Sequence, residues 1–207
     1  ALSKASQEDN DAAVTFLEEH LAADASVIDI GCGNGTFLHM LQERGVTNLV
    51  GLEPSEKNCR AIEEVWGIRA VAGVLGEDIP ALADAKFDFV VMKGVLEHLL
   101  DVKKSIAQAL RYIAKEGQFY VIVPDVSAFP YLPDLYQQFS VEHVNFFTLR
   151  SLCNLMSDFG MVCTAHRRQG EGLYTLWRRE GAVHELVFDA EGVRSMQEYL
   201  GCAEKIS

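Results

Sequence analysis

The sequence predicts an α/β layer fold. Two observations carry that reading: short apolar runs rich in β-branched residues alternate with segments of helical apolar periodicity, and no internal repeat or low-complexity tract interrupts them. A third bounds the size, because 207 residues at 49% hydrophobic composition suffice to bury one substantial core.

Asp11 to Ala23 carries Val14, Leu17 and Leu21 on one face and predicts a leading helix. A strand is expected near 27–31, where Val27, Ile28 and Ile30 form a run suited to a parallel sheet buried on both faces. It ends in Gly31, Gly33 and Gly35, whose missing side chains permit tight turning and let a ligand approach the backbone. Phe37, Leu38 and Leu41 then open a helical face, giving strand, loop, helix. The next strand, near 48–53, delivers Glu53 at its carboxyl end, eighteen positions beyond Gly35, where a carboxylate would accept hydrogen bonds from ribose hydroxyls. Further strands are expected near 68–74, 87–92 and 118–123, with an amphipathic helical segment from Val102 to Ala114 and a Lys115-Glu116-Gly117 turn before the last of them. Asp125 to Phe139, with Pro130, Pro133, Phe129, Tyr131, Tyr136 and Phe139, is too irregular for a core element; it reads either as a lid over a ligand or as a surface loop packing its own apolar residues. Leu149 to Phe159 predicts a helix ended by Gly160. Met161 to Arg167 and Leu173 to Arg179, separated by Gly170-Glu171-Gly172, predict a hairpin, and Val193 to Ile206 a final helix.

The alternate glycines and Glu53 together predict a nucleoside-cofactor site. A dinucleotide fingerprint needs glycine where Thr36 stands, which disfavours a nicotinamide oxidoreductase, and Asp29, two residues before Gly31, sits poorly beside a pyrophosphate. An amino-acid-bearing nucleoside suits Asp29 better, since the carboxylate would orient a ligand ammonium group directly or through water.

On Val27 to Gly35 and Glu53 the chain resembles the class I S-adenosylmethionine-dependent methyltransferases, within them the type 11/type 23 methyltransferase-like group. The resemblance implies a Rossmann-like three-layer sandwich whose seven-stranded, mostly parallel sheet ends in an antiparallel C-terminal hairpin. It implies S-adenosylmethionine as cofactor, with Asp29, Gly31, Cys32, Gly33 and Gly35 on its methionine and ribose side and Glu53, followed by Pro54, at the ribose. Phe87 to Asp101 looks like the family's fourth motif region, which makes Lys93, Gly94 and Val95 cofactor neighbours through backbone atoms. Asp78, in Glu77-Asp78-Ile79-Pro80, falls where relatives approach the adenine.

Val141 to Thr148 is similar to the Glu-His-x-x-Tyr/Phe-Phe-Ser/Thr segment of methyltransferases that modify sugars, including C-methylation of nucleotide-linked keto sugars. That similarity implies His143 as general base and Glu142 as the group that orients it or binds the acceptor. The tyrosine found two residues before the glutamate in those enzymes is Ser140 here. Glu-His also occurs at Glu19-His20 and Glu97-His98, so a capping or packing role at the entry of the following helix stands as the alternative. The expected function is methyl transfer to a small acceptor, a carbohydrate or nucleotide-linked sugar being one candidate. The rival is a non-catalytic module that binds the nucleoside or a partner within a larger protein.

Eighteen basic against thirty acidic residues leave a net charge of −12, which opposes a phosphate backbone and counts against nucleic-acid partners. The arginine pairs Arg167-Arg168 and Arg178-Arg179 read as solvated charges. Five scattered cysteines, with no Cys-x-x-Cys, argue against a disulfide framework or a zinc site and for a reducing cytoplasm; Cys32 reads as a packing residue. No metal is expected, because no His-x-x-x-His or acidic cluster of ligand spacing appears, and no apolar run suits a membrane. The expected division is an N-terminal helix over 1–24, a methyltransferase domain over 25–180, and a helical extension over 181–207. Ala1 and the uncapped last helix suggest a piece of a longer protein, the helix leading to a further domain or partner or simply fraying.

Overall fold

The computed structural model describes residues 4–22, 24–132, 141–181 and 185–203. Seven strands form one sheet in the order β3-β2-β1-β4-β5-β7-β6. They are β1 (Ser26–Ile30), β2 (Asn48–Glu53), β3 (Arg69–Ala72), β4 (Phe87–Lys93), β5 (Ile113–Pro124), β6 (Met161–Gln169) and β7 (Gly172–Arg179). The pairings of β1 with β2 and β4, and of β2 with β3, are parallel, while β6 and β7 run antiparallel with a bulge between Cys163 and Ala165. The expected Rossmann-like sheet with its C-terminal hairpin is therefore present. Among the described residues six α-helices accompany it: α1 (Lys4–Glu18), α2 (Thr36–Glu43), α3 (Glu56–Trp66), α4 (Val102–Ala109), α5 (Leu149–Ser157) and α6 (Ala190–Ala203).

The chain divides into two compact units. The first comprises Ala1–Lys93 and Asp101–Val121; the second, Gly94–Leu100 and Ile122–Ser207.

In the first unit the β-branched runs make the center of the core: Val27, Ile28, Val90 and Val91 are buried, as their unbroken apolar character requires of parallel strands. Helix α1 docks on this unit through Val14 and Leu17, and the buried Tyr120 hydroxyl donates to the Ala13 carbonyl (2.9 Å). Helix α3 begins at a Ser55 cap, whose hydroxyl accepts from Asn58 N, and ends at Gly67 in the left-handed conformation. One expectation fails here. Lys115-Glu116-Gly117 is not a turn; β5 starts at Ile113 and runs through it, α4 having already given way to a short 3-10 turn over Leu110–Tyr112. Gly117 marks the reason, since a Cβ there would lie 2.8 Å from the Phe87 carbonyl oxygen and 3.0 Å from that of Asp88. The glycine serves close approach of two strand backbones, not chain reversal.

In the second unit the described start of the stretch after β5 is packed into a core. Val126–Tyr131 forms a 3-10 helix whose Val126 and Phe129 are buried against Tyr199 of α6, with Phe146 and Met196 at the margin. Pro133, Tyr136 and Phe139 of the expected lid lie outside the described residues, as does Ser140. Buried Asp125 pairs with Arg168 (2.7 Å), which also reaches Glu191 of α6 (3.4 Å). Helix α5 opens with a capping box between Thr148 and Ser151.

Candidate functional site

The first unit builds a glycine-lined bend at the tip of β1. Gly31 N and Cys32 N both donate to the Leu52 carbonyl oxygen (2.7 and 3.3 Å), which ties the bend to β2. Gly33 N then donates to Glu53 Oε2 (3.0 Å), and Ser55 N to Glu53 Oε1 (3.1 Å). The predicted loop and the predicted acid thus meet directly. Each carboxylate oxygen accepts one backbone N–H and retains a lone pair for a further donor. Gly35 begins α2 at φ 74°, and a Cβ on it would fall 2.7 Å from Ile62 Cγ1; Gly33, at φ 57°, has no heavy atom within 4 Å of that position. The bend is closed on the α3 side and open beside Glu53, a shape that fits a nucleoside laid along the backbone.

Asp29 lies in β1, buried, two residues before the bend. Burial raises its carboxyl from an ordinary 3.8 to about 7, the Lys93 ammonium opposing and Glu53 reinforcing the shift. Lys93, at the end of β4, spends its ammonium on Asp9 of α1 (2.6 Å). Cys32 is buried, its thiol pushed far up by burial and then by the Asp29 and Glu53 carboxylates, which rules out a thiolate at neutral pH and fits packing beside Gly51. Pro54 follows Glu53 on the exposed side. Asp78 is not gathered here: it lines a cavity of about 250 Å³ with Glu77, Lys86, Arg111 and Tyr112, the last three at the amino ends of β4 and β5, whereas the bend sits at a carboxyl end.

In the second unit, Gly94 N donates to the Ile122 carbonyl oxygen (3.0 Å) and Val95 leads into a 3-10 turn, Leu96–His98. The segment carrying Glu142 and His143 is fastened to that turn. Val144 N and Asn145 N donate to the Glu97 carbonyl oxygen (2.8 and 3.1 Å), and the Asn145 side-chain amide donates to the carbonyls of Leu96 (3.1 Å) and Leu99 (2.6 Å). His98 Nδ1 lies 3.0 Å from the Glu142 carbonyl oxygen; a carbonyl only accepts, so Nδ1 carries the proton. The His98 and His143 rings meet edge to face, centroids 4.8 Å apart. Burial, then neighbouring His98, lowers the His143 proton affinity, with Glu142 and Glu171 opposing; neutral imidazole is favoured.

His143 was expected from the sequence, whereas the residues packed around it were not. Glu97, His98 and His143 each offer a possible ligand atom within 4.8 Å of the other two, a grouping that no His-x-x-x-His spacing announces. The signal is the second Glu-His dipeptide, whose weight falls because the pair also occurs at Glu19-His20, just past α1. Asn145, inside the same motif, gave no chemical signal; its role is visible only through the carbonyls it caps.

Residues 3–166 match the family model described as "Methyltransferase domain", and the chain belongs to that family. Among curated proteins it is 31% identical over 101 residues to the bifunctional methionine biosynthesis protein MetXA/MetW of Rhodopirellula baltica, covering 45% of this chain and 16% of that protein. It is 24% identical over 190 residues to the tRNA U34 carboxymethyltransferase of Sulfurimonas denitrificans, covering 85% of this chain and 63% of that one. The chain therefore spans less than two thirds of the length of either relative. Among solved structures, the Burkholderia thailandensis 1,6-didemethyltoxoflavin-N1-methyltransferase, which holds 1,6-didemethyltoxoflavin and S-adenosylhomocysteine, superposes with a TM-score of 0.64 at 19% identity, over 82% of this chain and 77% of that one. That likeness is one of fold.

Proposed function

We propose that the chain binds S-adenosylmethionine and transfers its methyl group to a small acceptor, of which a carbohydrate is one candidate. The observation that carries this reading is the Glu53 carboxylate accepting from Gly33 N at 3.0 Å, which joins the acid of β2 to the bare bend of β1. When bound, S-adenosylmethionine supplies an electrophilic sulfonium methyl. Glu53 accepts from ribose hydroxyls, and the backbone of Gly31, Cys32, Gly33 and Gly35 lies against the nucleoside. Asp29 meets the ammonium charge. Lys93, Gly94 and Val95 contribute backbone atoms, and Pro54 shapes the exposed side of the ribose position. Asp78 is left out, given its place in a separate cavity.

His143 removes the acceptor proton, and the Glu142 carboxylate favours the protonated imidazole that results. The His98, Glu97 and Asn145 contacts hold the motif in place. A small-molecule acceptor is supported by the acidic charge, and a cytoplasmic setting by five unbridged cysteines. No helix among the described residues is long and apolar enough to cross a membrane.

Calorimetry with S-adenosylmethionine tests the cofactor half. Glu53→Ala is expected to weaken binding at least about tenfold, the loss of one to two charge-assisted hydrogen bonds; equal affinity would overturn the ribose assignment. Release of S-adenosylhomocysteine on incubation with candidate acceptors tests the enzymatic half. Once an acceptor is in hand, His143→Ala should lower kcat by roughly 10²–10⁴ with cofactor affinity unchanged.

A further inference from the structure

We infer that Glu97, His98 and His143 form a binding site for a divalent transition cation of borderline softness, zinc(II) or a first-row neighbour. Two imidazoles and one carboxylate make a ligand set that such ions favour over magnesium or calcium, whose sites are built from oxygen. The three ligand atoms lie within 4.8 Å of one another, and a tetrahedral zinc site would draw them to a donor spacing of ~3.4 Å.

The surroundings are those of a ligand site rather than of a chance cluster. His98 Nδ1 donates to the Glu142 carbonyl oxygen at 3.0 Å, which fixes the tautomer and leaves Nε2 as the nitrogen with a lone pair, as metal-bound histidines are commonly held. Glu97 is 4% exposed, so a cation beside it offsets the burial of a carboxylate. The two stretches that supply ligands, 96–99 and 142–145, are clamped by four hydrogen bonds onto the carbonyls of Leu96, Glu97 and Leu99, so the donors are presented by one rigid piece of backbone. Three protein ligands leave a fourth position for water or an acceptor oxygen.

The inference shares His143 with the proposed reaction, and a cation that engages its imidazole excludes it from acting as base. Metal binding and base catalysis are therefore separable by experiment. Calorimetric titration of the metal-free protein with zinc(II), in the absence of methyl donor, is expected to show one equivalent bound. His98→Ala, His143→Ala and Glu97→Gln should each weaken it by on the order of a hundredfold, while His39→Ala leaves it unchanged. Should Glu97→Gln fail to fold, as judged by circular dichroism, exposed His98 still provides the variant. Cobalt(II) in the wild-type protein should give a ligand-field spectrum of nitrogen and oxygen donors. No bound equivalent, equal affinity in His98→Ala and His143→Ala, or a thiolate-to-cobalt charge-transfer band would overturn the site. Turnover unaffected by His143→Ala in metal-free protein would overturn the base instead, and leave the metal site standing.

Discussion

Asp29 shows how one buried carboxyl links stability, pH and ligand. Its ordinary value of 3.8 is raised to about 7 mainly by burial. Below about pH 3.8 the group is protonated whether the chain is folded or not. Between there and about pH 7 the folded chain keeps a proton that the unfolded chain has lost, so stability falls as pH rises through this window and levels off above it. A shift of roughly 3 units corresponds to ~4 kcal/mol. Asp29→Asn should therefore gain on the wild type between pH 5 and pH 8 by a few kcal/mol in denaturant unfolding; a constant difference would contradict the burial argument. The proposed role of Asp29 predicts that S-adenosylmethionine binding near pH 6.5 releases protons, because a ligand ammonium beside it would favour the ionised carboxylate. Titrations in buffers of different ionisation enthalpy measure that release directly.

At the scale of elements, the parts that were legible in the sequence are those whose signal is local. β2 was expected over 48–53 and lies there, because Leu49 to Leu52 is apolar without interruption and Glu53 ends it; the hairpin was expected because Gly170-Glu171-Gly172 divides two strand-like runs. Gly117 was misread because glycine after Lys-Glu resembles a turn locally, while its purpose is tertiary: it makes room for the β4 carbonyls. Gly117→Ala is expected to destabilise by about 1–3 kcal/mol, as overpacking against a backbone does, whereas Ala at exposed Glu116 should change little; comparative urea unfolding separates them. Asp125 to Tyr131 was misread in the opposite sense, its prolines and aromatics suggesting a loop although Phe129 is buried against α6. That Gly33 and Glu53 meet was legible because a glycine bend at one strand's tip and an acid at the end of the next are both local signals. Glu97 and Asn145 were not, because they act through contacts 46 to 49 positions away in sequence. Arg168 carries a prediction of the same kind. It is 43% exposed yet answers Asp125, which is 1% exposed. Arg168→Ala strands that carboxylate and is expected to cost about 2–3 kcal/mol, the lower end for a buried pair because one partner is half solvated, with part recovered in Asp125→Asn/Arg168→Ala.

At the scale of the whole molecule, charge decides which acceptors are compatible with the chain. Nucleic acid is the competitor that the proposed small acceptor has to be tested against. Yet acidic residues exceed basic ones by twelve, and one member of each close arginine pair is engaged by carboxylates: Arg168 by Asp125 and Glu191, Arg178 by Glu180 (2.9 Å). Binding to a phosphate backbone is driven by counterion release, each neutralised phosphate adding close to one unit to the salt slope. With Arg168 and Arg178 engaged by carboxylates and the net charge repulsive, a phosphate backbone meets an unfavourable long-range field. In filter binding with total tRNA, the expected result is retention no tighter than about 10⁻⁴ M at physiological salt, the weak end of non-specific binding, with a shallow salt dependence. Micromolar retention that falls steeply between 50 and 200 mM salt would mean a basic surface outweighs the net charge, and would move the acceptor from small molecules to RNA.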